Sequence, residues 1–98
     1  MPTELDVGFD AAIDNKLSSL NPVALILHDD DINSMDHVVQ ALISNIPELT
    51  LEEALEKMLK AHNFGTVILL RCPLERAELY QERLAKNNLI ATMFYSIF

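Results

Sequence analysis

The chain has 98 residues, half of them apolar, and a formal net charge of −8. That is enough for one domain with one modest core, and too apolar for a disordered polymer. The acid excess argues against nucleic acid and anionic membrane surfaces as partners and favours cationic ones. No apolar stretch is long enough to span a bilayer.

Trp is absent and Phe and Tyr are few, so Leu, Ile, Val, Ala and Met must fill the core. Cys72 is the single cysteine, which rules out an internal disulfide and fits a reducing compartment. Residues 1–21 carry Glu4, Asp6, Asp10 and Asp14 and lack the basic start and long apolar run of a signal peptide. They read as a flexible acidic N-terminal extension, although Phe9, Ile13, Leu17 and Leu20 have the spacing of one helical face. Residues 22–98 read as the folded domain, entered at Pro22.

Val23 to His28 is an apolar run bounded by Pro22 and three acids, the pattern of a buried strand. Asn33 or Ser34 can cap a helix whose core stripe is Met35, Val38, Val39, Leu42, Ile43 and Ile46. Pro47 ends it. Thr50 and Glu53 form a capping-box pattern for a second helix. Its stripe is Leu51, Ala54, Leu55, Met58 and Leu59, and His62 follows on the same face. Gly65 stands where a helix end wants a left-handed residue.

Thr66 to Leu70 reads as a second buried strand. Pro73 suits the first turn of a third helix with Leu74, Ala77, Tyr80 and Leu84 inward. Glu75, Glu78 and Glu82 share another face of it. Asn87 and Asn88 break that helix, and Leu89 to Phe94 is the third strand. The order β-α-α-β-α-β predicts a two-layer α+β domain, a three-stranded antiparallel sheet packed against three helices.

The chemistry concentrates at Asp29, Asp30 and Asp31, where the chain leaves the first strand. Adjacent carboxylates repel one another unless they are solvated or paired with a cation. Asp29, Asp31 and Asn33 match the alternating ligands that open an EF-hand loop. Ser34, however, stands where the sharp turn needs Gly, and Gln40 where the bidentate Glu belongs. A phospho-acceptor receiver domain needs a longer chain and an Asp after a later strand, where Leu70, Arg71 and Cys72 stand. Catalysis lacks a nucleophile beside the Asp and His groups, and a metal lacks a full ligand set. Two readings remain open: a solvated acidic turn that leads into the helix cap, and capture of an ammonium group. Carboxylates beside a histidine accept its N–H donors, and Met35 and Met58 supply an adaptable apolar floor.

The run His28, Asp29, Asp30, Asp31, Ile32, Asn33, Ser34, Met35, Asp36, His37, Val38 and Val39, with Met58, His62 and Gly65, resembles the ClpS adaptor family. The likeness spans about residues 22–94. The stretch Ile46–Ala54 and the short third helix resemble the cyanobacterial and plastid branch. The resemblance implies a fold like the C-terminal domain of a ribosomal stalk protein. It implies a non-enzymatic adaptor, without cofactor or metal, in the cytoplasm or the plastid stroma. Such adaptors bind N-degron substrates that begin with a bulky hydrophobic residue and deliver them to a Clp AAA+ unfoldase of the ClpA or ClpC type. The family's amine-binding residues fall on Asp29, Asp30 and His62. Its side-chain pocket falls on Ile32, Asn33, Met35, Val38, Met58, Ala61 and Leu89, and its docking surface for the unfoldase N-terminal domain on Glu75 and Glu78.

Most members have Asn where this chain has Asp29, Thr at Asn33, Pro at Ser34 and a larger β-branched residue at Ala61. These departures keep open a second expectation, a ClpS-like protease regulator with altered or lost N-degron specificity.

Overall fold

The computed structural model describes residues 22–95. The expected acidic extension, 1–21, and the last three residues lie outside them. Three strands and three helices follow in the expected order: β1 Val23–His28, α1 Met35–Asn45, α2 Leu51–Phe64, β2 Thr66–Cys72, α3 Leu74–Lys86 and β3 Ile90–Phe94. The sheet order is β2-β1-β3, with β1 antiparallel to both neighbours. Among the described residues, no helix is long and apolar enough to cross a membrane.

Local chemistry accounts for the ends. The Ser34 hydroxyl accepts the His37 backbone N–H at the start of α1. Thr50 and Glu53 satisfy each other's backbone N–H groups at the start of α2, a complete capping box. Gly65 ends α2 at φ 93°, a conformation only glycine adopts without strain. Pro73 sits one residue before the first helical position of α3.

Strand periodicity places Val23, Leu25 and Leu27 of β1 on the core-facing side. A bulge between Leu25 and Ile26 leaves Leu69 of β2 without a partner. That extra residue resets the alternation, so that Leu69 and Leu70 both join the core or its margin. Among the described residues, helices cover this side alone. Ile68, Ile90 and Phe94 on the other face are therefore substantially exposed. β2 is thus a half-buried strand rather than the buried one expected, and β3 is half-buried as well.

The helices bury narrower stripes than their spacing suggests. On α1, Val39, Ala41 and Leu42 are buried, while Met35 is largely open to solvent. On α2, Ala54, Met58 and Ala61 face inward. Leu51, Leu55 and Leu59, expected in the core, are 56%, 40% and 47% exposed. Leu55 follows Ala54 by one residue, about 100° round the helix. Ala54, fully buried, lets α2 sit close to its neighbours, which turns the leucine row outward. On α3, Ala77, Tyr80 and Leu84 are buried as expected.

A polar cluster pins α3 to the α1–α2 linker. The Tyr80 hydroxyl donates to Glu48 Oε1 at 2.6 Å, and Arg76 Nη1 donates to Glu48 Oε2 at 3.0 Å. The Tyr80 bond, ahead of the Arg76 charge, holds the Glu48 carboxyl below its ordinary 4.5. Burial, then the Glu48 bond, pushes the Tyr80 phenol up to about 12. A carboxyl held low stabilises the fold above its ordinary value and ceases to do so as pH falls through the folded-state value. A phenol held high stabilises the fold below its ordinary 10 and ceases to do so as pH rises toward about 12. The stability difference between the wild type and Tyr80→Phe, read from thermal midpoints, is expected to be largest near neutrality and to shrink toward both extremes.

Candidate functional site

The acidic turn is built by hydrogen bonds. The Asp29 backbone N–H donates to the Gly65 carbonyl at 2.9 Å, fastening the end of β1 to the end of α2. Asp30 Oδ1 accepts the backbone N–H groups of Ile32 (2.8 Å) and Asn33 (2.7 Å). Asp30 Oδ2 accepts Asn33 Nδ2 at 2.9 Å. The Asn33 backbone bond, above all, holds the Asp30 carboxyl below its usual value, against a smaller opposing effect of burial. Asp30 is therefore committed mainly to shaping the turn, with limited accepting capacity left for anything outside it.

Beside the turn lies a cavity of about 310 Å³ between α1, α2 and the start of β3. Met35, Val38, Met58, Ala61 and Leu89 provide its apolar lining. Asn33 and Ser34 supply polar wall, and Leu27 and His28 close the sheet side. The His28 ring is bonded to the Thr92 hydroxyl at 2.7 Å. Asp29, Asp31 and His62 complete the polar end. Asp29 Oδ1 and His62 Nδ1 stand 3.9 Å apart, beyond hydrogen-bond length, so neither satisfies the other.

The structure thus brings together Asp29, Asp30, Asn33, Met35, Val38, Met58, Ala61, His62 and Leu89. It does not bring in Ile32, which is 89% exposed and outside the lining. The two backbone bonds to Asp30 curl the turn so that the Ile32 side chain points away from the hollow. Glu75 and Glu78 are exposed on α3, away from the cavity. Glu78 instead borders a shallow groove with Gln81, Glu82, Ile90 and Ala91, on which Leu89 also abuts. Asp31, Ser34, Leu27 and His28 line the cavity without having been singled out as site residues. For Asp31 the signal was present in its place within the run of acids. Among the described residues, no group of three or more His, Cys, Asp or Glu side chains is arranged to hold a metal ion.

A family model described as the ATP-dependent Clp protease adaptor protein ClpS matches residues 19–92. The chain belongs to the ClpS family. Similar ClpS proteins come from cyanobacteria and plastids. The ClpS adapter of Gloeobacter violaceus is 40% identical over 68 residues, covering 69% of this chain and 73% of that one. The chloroplastic adapter CLPS1 of Chlamydomonas reinhardtii is 33% identical over 69 residues, covering 70% of this chain and 43% of that one. The structure of Agrobacterium tumefaciens ClpS2 bound to L-phenylalaninamide superposes with a TM-score of 0.70 at 21% identity, covering 78% of this chain and 98% of that one. At that identity the likeness establishes the ClpS fold.

Proposed function

We propose that this ClpS-family chain is a non-enzymatic adaptor that captures polypeptides by a free α-amine and a bulky hydrophobic first side chain, and delivers them to a Clp AAA+ unfoldase. One observation carries the reading. A cavity with an apolar wall ends at Asp29 Oδ1 and His62 Nδ1, set 3.9 Å apart. With the imidazole neutral and its proton on Nε2, both atoms accept. An ammonium nitrogen about 2.9 Å from each would bond to both. Asp31 adds a second carboxylate at the same mouth. The first side chain would then lie against Met35, Val38, Met58, Ala61 and Leu89. Asp30 supports the amine mostly by holding the turn.

The ligand in the Agrobacterium tumefaciens structure has this chemistry, a free amine on an aromatic amino acid. The exposed Glu75 and Glu78 are the candidate contact for the N-terminal domain of a ClpA- or ClpC-type unfoldase.

The test is N-terminal acetylation. A peptide beginning with Phe is expected to bind, and its acetylated form to lose about 100-fold or more in affinity, because the charge-assisted bonds vanish together. Equal affinities in a calorimetric titration would reject amine capture.

A further inference from the structure

The loop Asn87–Leu89 leaves α3 and carries Leu89 into the cavity wall, where it is 3% exposed. Among the described residues its backbone bonds run to α3 alone: Asn87 N–H and Leu89 N–H donate to the Leu84 carbonyl, and Asn88 N–H to the Ala85 carbonyl. Asn88 turns the chain at φ 66°, a left-handed conformation that asparagine tolerates better than most residues. Nothing in that set of bonds fixes how far the loop stands from α1. Among the described residues, two side-chain bonds do so. Asn33 Nδ2 donates to the Asn88 carbonyl at 2.7 Å, and His37 Nε2 donates to the Asn87 carbonyl at 2.8 Å.

Asn33 is the more telling of the two. The same Nδ2 also donates to Asp30 Oδ2 at 2.9 Å. Both partners can only accept, so the amide nitrogen is chemically assigned and both of its hydrogens are used. One side chain therefore joins the acidic turn, where the amine would sit, to the loop that supplies the opposite apolar wall.

We infer that Asn33 is a specificity-setting positioning residue: by tying Asn88 to the Asp30 turn it holds the Leu89 wall in place, and so sets which first side chains the cavity accepts. The inference rests on the capture proposed above and deepens it. His37 acts on the same loop as a second tie that does not touch the turn.

The experiment compares the wild type with Asn33→Ala, Asn33→Asp and His37→Ala. Each is titrated with peptides that differ only in a first residue of Leu, Phe or Trp. A change of charge at the mouth alters the affinity of every amine alike, whereas a wall that moves alters the order among side chains. Releasing the wall is expected to raise the Trp-to-Leu affinity ratio by about tenfold in both Asn33 variants, and in the same direction for His37→Ala. Amide hydrogen exchange at Asn88 and Leu89, read without ligand, is expected to quicken about fivefold. A general loss of stability would instead lower all affinities together and shift the thermal midpoint. If the wild type binds and both Asn33 variants keep its Trp-to-Leu ratio, Asn33 does not set specificity and capture stands. If the wild type binds no free-amine peptide, capture fails and this inference fails with it.

Discussion

Ala61→Leu is expected to weaken binding of Phe-initiated peptides by about 30-fold or more while leaving the domain folded. Ala61 is 2% exposed, lines the cavity and stands one residue before His62 on α2. A leucine there projects its added carbons into the space a first side chain would occupy. Forcing an extra apolar group into an occupied site costs about 1–3 kcal/mol, and displacing the ligand side chain removes its burial as well. Affinity should therefore fall by about 30-fold or more. The unliganded protein is affected in the opposite sense. Filling a hollow commonly adds about 0.5–2 kcal/mol of stability, so the thermal midpoint is expected to hold or rise. Weakened binding with retained or raised stability is a signature that misfolding does not produce. Unchanged affinity would place the ligand's side chain elsewhere.

Leu25→Ala is expected to cost about 3 kcal/mol of stability. Leu25 is fully buried, on the central strand, paired with Leu70 on one side and Met93 on the other. Removing a large buried side chain loses its transfer free energy and leaves a hollow that neighbours on both flanking strands cannot readily fill. For a domain of this size that corresponds to about 15 °C in the thermal midpoint. Leu55→Ala is the matched control. It makes the same chemical change on the exposed row of α2 and should cost less than about 1 kcal/mol. Chemical denaturation of the two variants checks both figures. Equal losses would mean that the leucine row of α2 is covered in solution.

The contrast between these two leucines shows where sequence reading stops. Leu25 lies in an unbroken apolar run between Pro22 and the acids, and local pattern suffices to bury it. Leu55 lies on a helix whose apolar residues span a sector wider than its contact. Periodicity marks the whole sector, and only the neighbouring elements decide which edge of it is used. The small side chain of Ala54 rotates the contact toward itself.

The candidate site divides in a similar way. The capping box, the Ser34 cap, Gly65, and the gathering of Asp29 and His62 with Met35 and Met58 were legible, because each depends on short-range chemistry or on a spacing the elements preserve. Ile32, expected beside the pocket, stays outside the lining, because the Asp30 carboxylate draws two consecutive backbone N–H groups inward and so rotates the side chain between them outward. The ties of Asn33 and His37 to Asn88 and Asn87 join positions 55 and 50 residues apart. They had no trace in local pattern, since a backbone carbonyl has no identity in a sequence.

What the chain's order of residues determined by itself was the succession of strands and helices, their caps, and the placing of clustered negative charge at a strand end. Those follow from periodicity and from bonds a few residues long. The tertiary structure alone decided which apolar faces meet, that Asp30 is committed to its own turn while Asp29 and His62 face each other 3.9 Å apart, and how a loop from α3 closes the hollow. Those outcomes depend on distances between elements, which are set by how side chains of particular size pack.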